Sequence, residues 1–547
     1  MPRLDVEHRN FSPATVFAFL FLALAATHWP LLRLPYFWDE AGYYVPAARD
    51  LLLTGSFIPH TTPSNAHPPL VMAWLALCWK IFGYSPFITR VAMLAVAAFS
   101  LTGLFRLARR IANVQVAIAS VLCTAVYPVF FAQSSMAHVD LAAAGFTFWA
   151  LDAYFAENFI MTAFWFSLAA LAKETAILGP AGLFGWQLIK TYFISGCPVP
   201  YRALCDKGRD VSEVEEPAFN LKKFIALAIP ILPLALWYAY HYSRTGFVFG
   251  NPEFFRYNVA STTNPLRIFL ALLMRLYQTL GYMNLFVLTI TAALAMKLQP
   301  VADGDGERPR IAIADQLALL SVIATYVLAL SVIGGAVLAR YMLPVVPLVV
   351  IICVSTLWRR FDWWKSALAC VALAFALGLF INPPHGFSPE DNLAYADFIR
   401  LHQSAENFLQ AHYPKDCVLT AWPANDELTQ PFLGYVSQPM CVVRIENFAA
   451  EEIVGAAMQN VRQPSFNVAL VFSTKYDPPG GWFQGWPAWQ SWKIRFFGYH
   501  RDLPPDVAAQ ILGGNLVYRA NRNGQWAGVI EIDPIEDAAL PSSNLLR

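Results

Sequence analysis

The chain predicts a mainly α-helical membrane protein, with a polytopic helical domain over residues 1 to 382 and a small external α/β domain over 383 to 547. Three observations predict it. Hydrophobic residues fill 57% of the 547 positions and charged ones 14%, and the mean hydropathy is +0.44, a balance that excludes an ordinary soluble enzyme. Long apolar runs recur through the first two thirds of the chain. From about residue 383, Asp, Glu, Asn and Gln become frequent, and short strand-like runs alternate with helix-like ones. The formal net charge of +1 gives no sign of a nucleic-acid partner.

The first run, residues 11 to 32, carries no charged side chain and is long enough to cross a ~30 Å hydrocarbon core. No small-residue cleavage site follows it, so it reads as an anchor and not a signal peptide. Further runs cover 86 to 105, 111 to 131, 141 to 156, 159 to 172, 175 to 193, 224 to 241, 279 to 296, 313 to 333, 341 to 358 and 366 to 382, making about eleven spans. Several are shorter than a straight span needs, so tilt or burial of helix ends must make up the difference.

Basic clusters orient these spans. Arg3 and Arg9, then Arg106, Arg109 and Arg110, then Lys297, Arg308 and Arg310, then Arg359, Arg360 and Lys365 all fall inside if the N-terminus is cytoplasmic. So does the segment from Lys190 to Lys223, with Arg202, Lys207 and Arg209. The agreement requires "HPPLVMAWLALCWKIFG" (67 to 83) to be an interfacial or re-entrant helix. An odd count then sends the chain beyond Asn382 outside.

This topology gathers charges from distant segments on the external face. The first external loop, 33 to 85, holds "WDEAGYY" with Asp39 and Glu40; the turn "QSSMAHVD" ends at Asp140; the next turn carries Lys173 and Glu174; and a short loop ends at Arg340. Ionisable groups at a membrane edge are costly and therefore candidates for function. Each also has a structural reading. Asp39 can cap the helix that follows it, at ~1 kcal/mol. Glu40 is either half of an acidic pair or a first-turn acid favoured by the helix dipole. Arg90 either snorkels to headgroups or meets a ligand phosphate. Glu174 is expected to pair with Lys173 or a nearby cation. The loop at 241 to 258, with His241, Arg244, Glu253 and Arg256, is a further candidate for ligand contacts without individual roles.

In the external domain, "CVLTAW", "CVVRI", "NVALVFS" and "GVIEI" read as strands and "NLAYADFIRLHQSAENFLQAH" as a helix. Cys417 and Cys441 start two of the strands, and an external compartment would permit them to pair, which sequence alone leaves open. The other six cysteines read as free thiols. Trp482, Trp486, Trp489 and Trp492 suit either the membrane interface or stacking on a sugar, with the interface as the simpler reading.

"WDEAGYY", "HPPL" (67 to 70), "MAHVD", "LAKET" (171 to 175) and "RYMLPVVP" (340 to 347), in this order and sidedness, resemble the C-type (GT-C fold) polytopic membrane glycosyltransferases. The closest branch holds the aminoarabinose and lipopolysaccharide-core transferases and the protein O-mannosyltransferases. The resemblance covers residues 11 to 382. It implies a polyprenyl-phosphate sugar donor, a lipid, glycan or protein acceptor, inverting transfer at the external face, and a place in cell envelope glycan biosynthesis in a bacterial inner membrane, with the C-terminal domain periplasmic.

In the family the first-loop aspartate is the general base, which assigns Asp39, and the second external acid corresponds to Asp140, which would orient the acceptor or assist the base. The leaving phosphate is already anionic, so it needs cations and no general acid; Arg340 is the first candidate and Lys173 the second. The lipid A branch has a lysine where this chain has His67, so a phosphate contact there is weaker or pH-dependent. Glu40, His138, Glu174 and Arg90 are candidates for acceptor contacts or support. The resemblance implies no required cofactor, with a divalent metal on Glu40, His67, His138 and Asp140 as the other reading. Rival functions are a transporter or lipid-linked-sugar flippase, which would show internal repeats and mid-span polar breaks absent here, and a non-catalytic assembly or sensor protein.

Overall fold

The structure is a computed structural model that describes residues 12 to 191, 220 to 250, 252, 264 to 304, 306 to 333, 335 to 476, 478 and 486 to 533. The chain is mainly helical, with several apolar helices and a small sheet domain towards the C-terminus. It divides into two compact units. One comprises Met1–Leu32, Ser64–Gly83 and Ile88–Gly378; the other comprises Arg33–Pro63, Tyr84–Phe87 and Leu379–Arg547.

In the first unit a helix occupies each predicted span: Pro13–His28, Pro86–Ile111, Val114–Val126, Asp140–Phe155, Phe159–Ala172, Leu178–Ile189, Ile231–Thr245, Leu285–Ala295, Ile313–Val332, Val346–Arg360 and Trp364–Phe380. Five continuous stretches are long and apolar enough to cross a membrane unaided: Pro13–Leu31, Pro86–Ile111, Leu221–Thr245, Pro265–Ala295 and Ile313–Val332. The protein is an integral membrane protein. Leu70–Phe82 has 13 residues, ~20 Å of helix, too short to span alone. Proline accounts for breaks inside predicted runs: Pro128 starts Pro128–Gln133 afresh after Tyr127 leaves helical geometry.

The run at 279 to 296 is the second half of a longer element. The helix Pro265–Leu280 precedes it, and Met283 and Asn284 take positive φ at the joint. Sequence pattern hides that first half because Arg267, Arg275 and Gln278 interrupt its apolar face, yet all three are buried.

A two-stranded ribbon, β1 (Ala302–Asp303) with β2 (Gly306–Glu307), lies in the loop after this element. It was not expected, since two-residue strands leave no periodicity.

The second unit is built on a five-stranded sheet ordered β4-β3-β5-β7-β6, comprising β3 Cys417–Ala421, β4 Cys441–Ile445, β5 Val468–Phe472, β6 Gly514–Arg522 and β7 Gln525–Ile532. β3, β4 and β5 run parallel; β7 is antiparallel to β5 and to β6. β5 is buried at every position, as an unbroken apolar run in a covered parallel strand should be. β6 escapes sequence detection because it is an edge strand, half exposed along its length, and spelled "GNLVYRANR". The helix Ala394–His412 packs on β6 and β7. Cys417 and Cys441 face each other in register across β3 and β4 and form a disulfide. Cys78, Cys123, Cys353 and Cys370 are free.

The first-loop segment is stitched into this second unit. Tyr435 donates to the Tyr36 carbonyl (2.8 Å), Thr62 donates to the Gly42 carbonyl (2.6 Å), and Tyr84 donates to the Phe432 carbonyl (2.8 Å). Gly42 of the "WDEAGYY" motif admits no side chain, because a Cβ there would lie 2.5 Å from Trp422 Nε1.

Candidate active site

In the first unit, three segments that are distant in sequence meet at one buried carboxylate. Asp140 is the first residue of its helix, where the helix dipole favours an anion. Lys173 sits in an extended break between Phe159–Ala172 and the turn Glu174–Ile177, so its side chain turns in from a helix end. Arg340 comes from the turn Ala339–Met342. Lys173 Nζ donates to Asp140 Oδ1 at 2.5 Å, and Arg340 Nε lies 3.3 Å from Asp140 Oδ2. All three are almost fully buried. The ring of Tyr341 lies beneath the Lys173 ammonium at 3.6 Å, a cation–π contact that holds the amine without neutralising it.

His138 and Arg90 complete this shell. His138 Nδ1 is 2.7 Å from Gln133 Oε1 and 3.3 Å from an Arg340 guanidinium nitrogen. Arg90 is fully buried and donates to the Ser135 carbonyl at 3.0 Å, so it does not snorkel. The turn 133 to 138 offers it carbonyls that no helix consumes.

The chain before Arg340 is held by groups that sequence reading passed over. Arg267 donates to the carbonyls of Ser331 and Gly335, both at 3.1 Å. Arg275 donates to those of Leu338 (2.8 Å) and Ala336 (3.2 Å), and Gln278 donates to that of Val337 (2.8 Å). The main-chain oxygens of Ser331, Gly335, Ala336, Val337 and Leu338 are thus satisfied by buried side chains. The signal was available: Arg267 and Arg275 are eight residues apart, within about 80° on a helical wheel.

His67 is engaged by Glu174. Its Nδ1 is 2.8 Å from Glu174 Oε2, so Glu174 pairs with His67 while the neighbouring Lys173 turns to Asp140. Trp237 fixes the loop by donating to the Ala66 carbonyl at 2.9 Å, and His241 contacts Ser64 Oγ at 2.8 Å. Arg244 is exposed, and Glu253 and Arg256 lie outside the described residues, as do Trp482 and Arg202, Lys207 and Arg209.

Asp39 and Glu40 belong to the second unit. Trp38 has φ 42°, a left-handed conformation rare outside glycine, and Glu40–Tyr44 forms a π-helical turn before the helix Val45–Thr54; both features concentrate at functional sites. Asp39 is half-buried and makes no side-chain capping bond to the turn it precedes, which removes the capping explanation. Glu40 is buried and accepts from the Phe37 amide at 2.8 Å, so it braces the turn. Phe37 and Trp38 pack edge-on against Phe398, at 5.2 and 5.5 Å between ring centres, and Trp38 packs on Trp422 at 4.9 Å.

A family profile for dolichyl-phosphate-mannose-protein mannosyltransferases matches residues 66–201, a stretch containing His67, Asp140 and Lys173. ArnT from Cupriavidus metallidurans in the apo state superposes with a TM-score of 0.51 at 14% identity, covering 95% of this chain and 98% of that one. The chain has the GT-C fold. ArnT from the same organism bound to undecaprenyl phosphate gives a TM-score of 0.51 at 14% identity over 94% and 98% of the two chains. An oligosaccharyltransferase from Archaeoglobus fulgidus gives 0.46 at 12% identity over 84% and 68%. No curated protein sequence matches this GT-C chain.

Proposed function

We propose that the protein is a GT-C membrane glycosyltransferase that moves a sugar from a polyprenyl phosphate to a lipid, glycan or protein acceptor at the external face of a bacterial inner membrane. The observation that carries this reading is the meeting of Asp140, Lys173 and Arg340 in the membrane unit. Two cations share one carboxylate there, an arrangement suited to receiving a second anion of the kind a phosphate supplies. The disulfide between Cys417 and Cys441 supports an oxidising compartment for the C-terminal domain.

In this mechanism an acceptor oxygen attacks the anomeric carbon. Asp39 takes the acceptor proton as the new bond forms, and the carbon–oxygen bond to the polyprenyl phosphate breaks on the opposite side, with inversion. Arg340 and Lys173 hold the departing phosphate, which leaves as an anion without needing a proton. Asp140 positions both cations, bonding Lys173 through Oδ1 and pairing with Arg340 through Oδ2, so its contribution is their orientation rather than the acceptor contact its place in the family suggests. Tyr341 and His138 restrict the Lys173 and Arg340 side chains further. His67, engaged by Glu174, contributes a hydrogen bond to the donor at most.

Asp39→Asn is the test. In membranes supplied with a polyprenyl-phosphate sugar, the variant is expected to accumulate and fold as wild type does while losing sugar transfer. Turnover within a few-fold of wild type would remove Asp39 from the chemistry.

A further inference from the structure

The second unit contains a group of ionisable side chains that the transfer reaction does not use. His402 and Glu406, one turn apart on the helix Ala394–His412, face Glu427 of the helix Ala424–Thr429. All three are buried, with side-chain exposures of 1%, 0% and 0%. His402 Nδ1 is 2.6 Å from Glu427 Oε2 and 3.9 Å from Glu406 Oε1. Both Glu406 oxygens, Glu427 Oε1 and His402 Nε2 have no hydrogen-bond partner. A fully buried carboxylate with neither oxygen satisfied is a costly arrangement for a protein core, and two carboxylates together compound it. Burial, the Glu427 charge and the approach of the two carboxyl groups to hydrogen-bonding reach hold Glu406 well above the usual carboxylate range, so the unsatisfied bonds of the cluster are those that good hydrogen-bond geometry would make.

We infer that His402, Glu406 and Glu427 form a structural site for one divalent transition-metal ion, with Zn2+ as the best-matched ion. One ligand atom from each lies within 4.8 Å of the others. Ligands at ~2.0–2.2 Å on a tetrahedral ion are about 3.4 Å apart, so the 3.9 Å and 2.6 Å separations each need a shift of under about 1 Å. One imidazole with two carboxylates suits zinc better than calcium or magnesium, which take oxygen donors in larger numbers.

The site has structural reach. Phe398 stacks on His402 at 4.0 Å and is the same ring that Phe37 and Trp38 pack against. An ion on His402 therefore stiffens the helix that supports the turn carrying Asp39. Phe472 also packs edge-on against the imidazole at 4.3 Å, and water would complete the fourth position of the ion.

The test uses the full-length protein in detergent, stripped with a chelator and re-equilibrated with Zn2+, Mg2+ or no metal. Wild type is expected to retain about one more Zn2+ per chain than Glu406→Gln and to melt several degrees higher with Zn2+ than with Mg2+, while the variant melts alike in both. In the stripped state Glu406→Gln is expected to melt at or above wild type, because it removes one of two buried acids that face each other. Equal Zn2+ content in the two proteins overturns the assignment. If Glu406→Gln does not accumulate, wild type alone decides: the same melting temperature in Zn2+ and Mg2+ overturns it, and a rise with Zn2+ only supports it.

Discussion

Replacing Asp140 by Asn leaves Lys173 and Arg340 facing each other without their shared anion, in a place where both side chains are at most 5% exposed. At an effective dielectric of ~20, a unit charge pair at the observed 3.3 Å attracts by about 5 kcal/mol, and the closer Lys173 contact by somewhat more. Part of this is returned as the cations reorient towards water and the Asn carbonyl, and deleting one partner of a buried pair costs about 3–5 kcal/mol in practice. The expected loss is therefore ~4 kcal/mol, on the order of 5 °C in melting temperature at this chain length. The diagnostic comparison is the double variant. Lys173→Met added to Asp140→Asn removes one stranded cation, so the double variant should melt above Asp140→Asn, although Lys173→Met alone melts below wild type. Heating the detergent-solubilised proteins and following the soluble, monodisperse fraction gives all four values. An Asp140→Asn protein within ~1 °C of wild type, or a double variant below Asp140→Asn, refutes the idea that these charges hold one another.

Two further outcomes are expected. Converting Cys417 and Cys441 to Ala together should cost about 3 kcal/mol, the closure entropy of a loop with sequence separation 24, read as a lower melting temperature that reducing agent does not change further. Burial, reinforced by the like charge of Lys493 and only partly offset by Asp502, lowers the Lys475 ammonium to about 8; the unfolded chain keeps its proton longer, so between that pH and the ordinary lysine range stability rises with pH. Lys475→Met should accordingly gain melting temperature over wild type at pH 7 and lose that advantage by pH 10.

The sequence disclosed the membrane helices because apolar length survives without any partner: every span read from residues 11 to 382 coincides with a helix. It disclosed Asp140, Lys173 and Arg340 as candidates for a different reason, since charges are rare in such a chain. What it did not disclose depends on tertiary context. Glu174 was expected to pair with Lys173 or a nearby cation, and of these it takes His67, because Lys173 sits in an extended break that sends the two neighbours in different directions. Arg267, Arg275 and Gln278 looked like interruptions of an apolar face when they are the interior of it. β6 was missed for want of a buried face, and the group at His402 because its two acids are spread across separate helices. The left-handed Trp38 and the absence of a side-chain capping bond from Asp39 are local geometry that no composition carries.

The stretch between Ser331 and Leu338 has an implication for how the protein tolerates change. Ser331 and Gly335 to Leu338 are gripped through their main-chain oxygens, which all twenty amino acids possess, so the spelling there is free to drift while the length is not. Losing or gaining a single residue there would hand each arginine the wrong carbonyl and deliver Arg340 out of phase, whereas swapping side chains along the same stretch leaves the grip intact.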